Sequence, residues 1–200
     1  MKLLEDRIQK DGKILPGNVI RVDSFLNQQL DINLLLECGK EWHRLFAEDK
    51  VTKILTIEAT GIGIACLAAT HFGVPVIYAK KTRNPINTDE YIASRVVSYT
   101  HGTAYDLYCK KEFLSANDRV LIIDDFLANG SALKALVNLV EKSGATLVGA
   151  GIAIEKTFKN GGKNLRDRGY RVESLAKISY IDEKGVTFEY ESGIFTIVDF

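Results

Sequence analysis

The stretch VLIIDDFLANGSA, residues 120–132, decides the fold class of this chain of 200 residues. Its four leading apolar residues end in two carboxylates, Asp124 and Asp125, and a loop of small residues follows. A short apolar run rich in branched residues is typical of a strand buried on both faces of a parallel sheet. Apolar residues then recur at helical spacing over 133–140, with Ser131 as a suitable N-cap. The pattern predicts a strand, an acidic pair, a tight loop and a helix.

A loop that opens into a helix is suited to a phosphate. The first backbone N–H groups of a helix lack acceptors within it, and the positive end of the helix dipole lies beside them. Neither a Walker loop nor a GxGxxG string occurs in the chain. Asp124 and Asp125 are placed to hold the vicinal hydroxyls of a sugar whose 5′-phosphate sits in the loop, which indicates a ribose 5-phosphate. The alternative is that the two acids merely end a strand and that Asn129 and Gly130 form an ordinary turn.

Composition excludes several function classes. Lysine plus arginine equals aspartate plus glutamate at 26 each, so we expect neither a nucleic-acid partner nor an anionic membrane surface. The N-terminus mixes charges, and no apolar stretch reaches the roughly 18 residues of a membrane helix. We therefore expect a cytoplasmic protein. The three cysteines are widely spaced and are interpreted as buried thiols rather than as disulfides or zinc ligands.

VLIIDDFLANGSA resembles the phosphoribosyl diphosphate signature of the type I phosphoribosyltransferases. Most members of that family have threonine where Asn129 stands, and the form with asparagine is similar to that of the members that act on xanthine. The resemblance also covers VDSFLNQQ at 22–29, EATG at 58–61 and IEKTF at 154–158.

The resemblance implies an α/β fold of the type I phosphoribosyltransferases, with a mostly parallel twisted sheet flanked by helices, a small hood and a mobile lid loop. We expect one domain over residues 1–200, with the hood built from about residues 1–30 and the C-terminal segment. Alternation of strand and helix patterns agrees with a parallel sheet. The lid is expected in the hairpin predicted around residues 93–110, with Ser98 and Tyr99 on it.

Family roles are carried over to matching positions. Asp124 and Asp125 are the expected catalytic residues. Binding of phosphoribosyl diphosphate is expected from two loops and a lysine: Ala128, Asn129, Gly130, Ser131 and Ala132, then Ala59, Thr60 and Gly61, and Lys81. Purine contacts are expected from Ile20, where the family has leucine, and from Asn27, Lys156 and Phe158, the last with core packing as an equal alternative.

The implied activity is purine salvage, in which the 5-phosphoribosyl group passes from phosphoribosyl diphosphate to N9 of xanthine. Mg²⁺ is the expected cofactor, without assigned protein ligands, and a homodimer is expected by family analogy alone.

One alternative is hypoxanthine or guanine in the same reaction. Another is a sensor of phosphoribosyl diphosphate without transferase activity, as in purine-operon repressors. Those carry a winged-helix domain ahead of this fold, whereas here the fold is predicted to begin almost at Met1, which favours the enzyme.

Overall fold

The structure is a computed structural model that describes residues 1–83, 88–98, 103–183 and 185–189. In these ranges the α-helices are α1 (Lys2–Asp11), α2 (Ile32–Leu45), α3 (Thr60–Phe72), α4 (Ser131–Ser143) and α5 (Gly161–Arg166). The strands are β1 (Lys13–Leu15), β2 (Val19–Arg21), β3 (Lys53–Ile57), β4 (Val76–Ala79), β5 (Tyr91–Ser98), β6 (Thr103–Lys110), β7 (Arg119–Leu127), β8 (Thr146–Lys156), β9 (Val172–Asp182) and β10 (Gly185–Phe188). None of the described helices is both long and apolar enough to cross a membrane.

The central sheet is mostly parallel, as predicted. Within the described ranges it holds six strands in the order β10-β9-β8-β7-β3-β4, and only β10 runs antiparallel to its neighbour. Strands β1 and β2 pair as one antiparallel hairpin, and β5 and β6 pair as another. The carboxyl ends of parallel strands meet at one edge of a sheet, which is where ligands of such folds bind. That edge is formed here by the ends of β3, β4, β7 and β8.

Strand β7 is buried on both faces, which explains its unbroken apolar run. Val120 and Ile122 belong to the core cluster that also contains the apolar face of α4. Leu121 and Ile123 belong to the opposite cluster, which includes residues of α1, α2 and α3. All four side chains are completely buried. Since successive residues of a strand point to opposite faces, the two helical layers are held together through this strand.

Helix α2 packs closely on the sheet at β8. Trp42, the single tryptophan of the chain, is completely buried on this helix. A Cβ atom added to Gly151 of β8 would lie 2.8 Å from Nε1 of Trp42 and 2.7 Å from Cδ1 of Ile123. A glycine is therefore required at position 151 because the indole lies against bare strand backbone.

Two element ends coincide with local signals in the sequence. Asp31 caps α2 by accepting a hydrogen bond of 3.1 Å from the N–H of Leu34. Gly144 ends α4 in the left-handed region, with φ of 78°. Helix α2 ends at Leu45, and a separate 3-10 turn covers Ala47–Asp49.

The region after β8 adds two strands and one short helix to the fold. Strands β9 and β10 do extend the sheet, with β9 parallel to β8. The short helix α5 between β8 and β9 was not predicted. The rest of the C-terminal segment, residues 190–200, which is expected to contribute to the hood, lies outside the described residues.

Candidate active site

The acidic pair lies within strand β7 rather than after it, so the predicted end of the strand was wrong. The ladder to β8 continues past the acids, with Asp124 opposite Ile152 and Leu127 opposite Glu155. Asp124 is only 4% exposed, whereas Asp125 is half-buried. The strand thus holds both carboxylates rigidly at the ligand edge of the sheet.

Asp124 is a buried acid with an unusual protonation equilibrium. Burial, and secondarily the neighbouring charge of Asp125, raise the pKa of Asp124 well above its usual value. Its Oδ1 accepts a hydrogen bond of 3.0 Å from the N–H of Asp125, which favours the charged form but does not offset the burial. The protein alone therefore disfavours ionisation of Asp124, and a bound cation would favour it.

Replacement of Asp124 by asparagine is expected to stabilise the protein at pH 7. An acid whose pKa rises on folding stabilises the folded state while it is protonated, and that contribution is lost as pH rises through the folded-state pKa. Asparagine imitates the protonated form, so the free energy of unfolding should increase by about 1–3 kcal/mol. Urea unfolding at neutral and acidic pH measures this.

The gain from Asp124→Asn should shrink on acidification towards the usual aspartate range. Asp167→Asn, at the exposed residue directly after α5, is the control, since it removes an equal charge from solvent. A gain of the same size at both pH values would contradict the raised pKa.

Asp125 links β7 to the N-terminal region of the chain. Its Oδ2 accepts a hydrogen bond of 2.8 Å from Nδ2 of Asn27, and its Oδ1 accepts one of 2.7 Å from the N–H of Phe126. The amide oxygen of Asn27 is buried and has no hydrogen-bond partner among the described residues. An unpaired buried acceptor is costly, so this oxygen is ready to accept from a ligand. Sequence analysis named both residues, and the structure brings them together.

The phosphate loop, residues 128–130, leads directly into α4. Gly130 is the N-cap in the left-handed region, with φ of 81°, and Ser131 is already the first helical residue. The prediction of Ser131 as N-cap was therefore wrong: the turn needs a positive φ, which glycine adopts without strain. Ala132 follows within the first turn of α4. The predicted binding residues 128–132 thus form a helix N-terminus with the dipole directed at an anion.

A second loop, residues 58–61, joins β3 to α3 and reaches Asp124. The peptide bond between Glu58 and Ala59 is cis, and α3 begins at Thr60. A Cβ atom on Gly61 would collide with Oγ1 of Thr56 and lie 3.2 Å from Oδ1 of Asp124. The structure therefore brings the predicted loop against the acidic pair, and the contact requires glycine at position 61.

Lys81 is tied to this second loop through its backbone. Its N–H donates to Oε1 of Glu58 at 2.6 Å. Its Nζ lies 5.5 Å from the ring centroid of Tyr105 on β6, a cation–π distance. Burial, and secondarily the charge of Asp124, raise the pKa of Tyr105. Lys81, Tyr105 and Asp124 are therefore neighbours, which brings the β5–β6 hairpin to the site.

Lys156 is the last residue of β8, the strand that pairs with β7. Its Nζ lies 5.8 Å from the ring centroid of Phe126, the residue after Asp125. Burial, and secondarily the positive charge of Lys159, lower the pKa of Lys156. The structure thus presents a partly desolvated ammonium group against the ring of Phe126.

The remaining predicted contact residues are Phe158, Ile20, Ser98 and Tyr99. Phe158 packs against the core, which was its alternative interpretation, with Nζ of Lys159 at 5.8 Å from its ring centroid. Ile20 is 5% exposed and lies in the same core. Ser98 ends β5, its side chain is not described, and Tyr99 lies outside the described residues. The roles of these residues stay predictions.

Sequence reasoning missed several residues that line or support the site. Thr56 is fully buried and its hydroxyl has no partner among the described residues, and a polar residue inside an apolar strand was the available signal. Gly161 contacts the phosphate loop, and the Gly-Gly pair in the sequence is a signal for close backbone approach. Tyr105 and Phe126 carried no signal, because their positions depend on how distant strands meet.

Comparisons with known proteins agree with this geometry. The family model described as the phosphoribosyl transferase domain matches residues 27–192. Xanthine phosphoribosyltransferase of Lachnoclostridium phytofermentans is 53% identical over 187 residues, which cover 94% of this chain and 96% of that protein. The protein of the same name from Ruminiclostridium cellulolyticum is 52% identical over 189 residues, covering 94% of this chain and 99% of that protein.

A solved structure supports the fold independently. Adenine phosphoribosyltransferase from Rhodothermus marinus superposes with a TM-score of 0.72 at 24% sequence identity, covering 88% of this chain and 99% of that chain. At that identity the likeness bears on the fold alone. Because the family model spans most of the chain and the relatives are more than half identical over nearly their whole length, the chain belongs to the phosphoribosyltransferase family, with the type I fold.

Proposed function

We propose that this enzyme transfers the 5-phosphoribosyl group from phosphoribosyl diphosphate to N9 of xanthine, giving xanthosine 5′-monophosphate and diphosphate in purine salvage. One observation carries the proposal: the acidic pair of β7 lies between a phosphate-type helix N-terminus at Gly130 and a second loop at Gly61. The names of the relatives, which are xanthine phosphoribosyltransferases, support the choice of base. We place the reaction in the cytoplasm.

The two loops suit the two ends of phosphoribosyl diphosphate. Residues 128–132 would hold the 5-phosphate through backbone N–H groups and the dipole of α4. Residues 59–61 would hold the diphosphate, and Lys81 would neutralise it. Asp124 and Asp125, which lie between the loops, would orient the ribose hydroxyls. The pair also favours positive charge on the sugar ring as the bond to diphosphate breaks.

The purine is proposed to lie near Asn27 and Lys156, with Ile20 and Phe158 as further contacts. The unpartnered amide oxygen of Asn27 would accept from the purine edge. Xanthine loses a proton readily, and the ammonium group of Lys156 would favour the anionic base. That base arrives as a nucleophile without a separate catalytic base.

The chemistry proposed is a dissociative substitution at C1 of the ribose. The C1–O bond to diphosphate breaks with its electron pair, the ring passes through oxocarbenium character, and N9 of the ionised base forms the new bond to C1. The acids and the two loops would act through position and charge rather than through a covalent intermediate. A closing β5–β6 hairpin, with Ser98 and Tyr99, would exclude water from this reactive centre.

The donor set fits Mg²⁺ delivered with the substrate. The described residues contain no group of three or more side chains that would cage a metal, but Mg²⁺ commonly uses one or two carboxylates together with substrate phosphates and water. The carboxylates of Asp124 and Asp125 would meet such an ion directly or through water. When bound, Mg²⁺ would neutralise charge on the diphosphate. The ion would also lower the pKa of Asp124 that burial raises.

The proposal includes an organisation for the whole chain. Residues 1–200 would form one domain, with a hood built from about residues 1–30 and the C-terminal segment. The hydrogen bond from Asn27 to Asp125 supports this hood, because it ties the N-terminal region to the acidic pair. The enzyme is proposed to act as a homodimer.

Diphosphate release is the measurement that tests the function. The protein is incubated with phosphoribosyl diphosphate and Mg²⁺, and with xanthine, guanine, hypoxanthine, adenine or no base. We expect turnover with a clear preference for xanthine. A preference for guanine or hypoxanthine would overturn the choice of base, and tight binding of phosphoribosyl diphosphate without turnover on any base would overturn the enzyme in favour of a sensor.

A further inference from the structure

The phosphate loop rests on another segment of backbone, the start of α5. The N–H of Gly161 donates to the carbonyl oxygen of Ala128 at 3.0 Å. A Cβ atom on Gly161 would collide with that oxygen and lie 2.7 Å from the backbone nitrogen of Gly130. In return, a Cβ atom on Gly130 would lie 3.3 Å from Cα of Gly161. Two backbones are in direct contact here, so a side chain at position 161 must displace the loop.

The start of α5 is anchored in turn by a buried ion pair. Glu155 of β8 is 1% exposed and accepts two hydrogen bonds from the guanidinium group of Arg166, at 2.9 and 2.6 Å. Ser174 of β9 donates to the same carboxylate. A Cβ atom on Gly162 would lie 2.7 Å from Nη1 of Arg166. The ion pair therefore fixes the first turn of α5 against β8 and β9.

This anchor stays charged under ordinary conditions. Burial raises the pKa of Glu155, but the hydrogen bonds from Arg166 and Ser174 outweigh it and leave the pKa below its usual value. Nε of Arg166 also donates to the carbonyl oxygen of Val172 at 3.1 Å. A bidentate guanidinium pair of this kind restrains orientation as well as distance.

We infer that Gly161 and the Glu155–Arg166 pair are positioning residues for the phosphate loop, which they hold in the shape that receives the 5-phosphate of phosphoribosyl diphosphate. The inference rests on the proposed function. Gly161 contacts the backbone of the loop, and Glu155 and Arg166 hold the start of α5, so all three would act through the loop rather than on the reacting atoms. Because Glu155 directly precedes Lys156 in β8, the same anchor connects the phosphate loop to the strand that carries the proposed purine contact.

The test is Gly161→Ala, measured by steady-state kinetics and by calorimetric binding of phosphoribosyl diphosphate with Mg²⁺. Position 161 is the first residue of α5, where alanine meets no backbone strain, so its effect comes from contact with the loop. We expect KM and Kd for phosphoribosyl diphosphate to rise about 10- to 100-fold. The KM for xanthine should change by less than about twofold, because the misplaced group is the loop alone.

Gly169→Ala is the matched control. Gly169 has φ of 87° and open space around the position of a Cβ atom, so alanine there strains the backbone just beyond α5 without touching the loop. It should lower the melting temperature and leave the KM for phosphoribosyl diphosphate unchanged. An equal rise of KM in both variants would overturn the inference, because general destabilisation would then explain it.

Arg166→Lys decides the question if Gly161→Ala does not fold. Lysine keeps the charge but loses the fork of two hydrogen bonds, and we expect a rise of about three- to tenfold in the KM for phosphoribosyl diphosphate. An unchanged KM would remove the ion pair from the inference. If the unmodified protein turns over no base, the proposed function fails separately, and the binding measurement still tests the positioning role.

Discussion

Asp125→Asn is expected to lower kcat by about 10²–10³ while the protein stays folded. The change keeps the size of the side chain and removes its charge. In the proposed reaction the ribose develops positive charge as the bond to diphosphate breaks, and a carboxylate held against the ring stabilises that charge most in the transition state. The loss should therefore appear in kcat more than in either KM.

A structural reason adds to the electrostatic one. Both oxygens of Asp125 accept hydrogen bonds, one from Asn27 and one from Phe126. An amide can accept at only one of these positions and must direct its NH₂ group at the other donor. The position of Asn27 should therefore loosen, and xanthine should bind more weakly as a secondary effect.

Asp167→Asn serves as the control for Asp125→Asn, since Asp167 is an exposed acid paired with Lys163 on α5. Its kinetics should match those of the unmodified enzyme. Circular dichroism and thermal unfolding establish that each variant is folded. Near-normal kcat in folded Asp125→Asn would remove this carboxylate from the mechanism.

Lys156→Met is expected to raise the KM for xanthine about 10- to 100-fold, the scale of one lost hydrogen bond to a charged group. Methionine keeps an unbranched apolar stem against Phe126 and removes the ammonium group. The KM for phosphoribosyl diphosphate should stay within about twofold. Initial rates over a grid of both substrate concentrations give the two constants.

Lys159→Met is the matched control, because it removes the same charge from an exposed position three residues further on. The charge of Lys159 lowers the pKa of Lys156, so its removal should not weaken xanthine binding. An equal rise in the KM for xanthine and the KM for phosphoribosyl diphosphate in Lys156→Met would refute the assignment of Lys156 to the purine.

The fold could be predicted from the sequence where the local residue pattern and the tertiary packing require the same secondary structure. The run at 120–123 is apolar because both faces of β7 are covered, and its pattern indicated that directly. The predicted end of β7 was wrong because the two charged residues, Asp124 and Asp125, were interpreted as the end of the strand. Asp124 and Asp125 remain in the ladder because the backbone pairs with β8 whatever the side chains are.

The candidate site was predictable only in its local parts. Residues 128–132 and 59–61 are contiguous stretches of the chain, and the resemblance to a family supplied their roles. The approach of Gly61 to Asp124 and the cation–π contact of Lys81 with Tyr105 join residues far apart in the chain. Such contacts depend on the register of strands, which a single sequence does not specify. The support of the phosphate loop by Gly161 belongs to the same class.

The packing of Trp42 against Gly151 has a practical consequence for all of these measurements. Because this indole is the single one in the chain and is fully buried between α2 and β8, its fluorescence emission is expected at short wavelength in the folded state and should shift to the red on unfolding. Gly151 pairs with Ile123, the residue before Asp124. One intrinsic fluorophore therefore reports on the integrity of the strands that carry the acids and Lys156, without any introduced label.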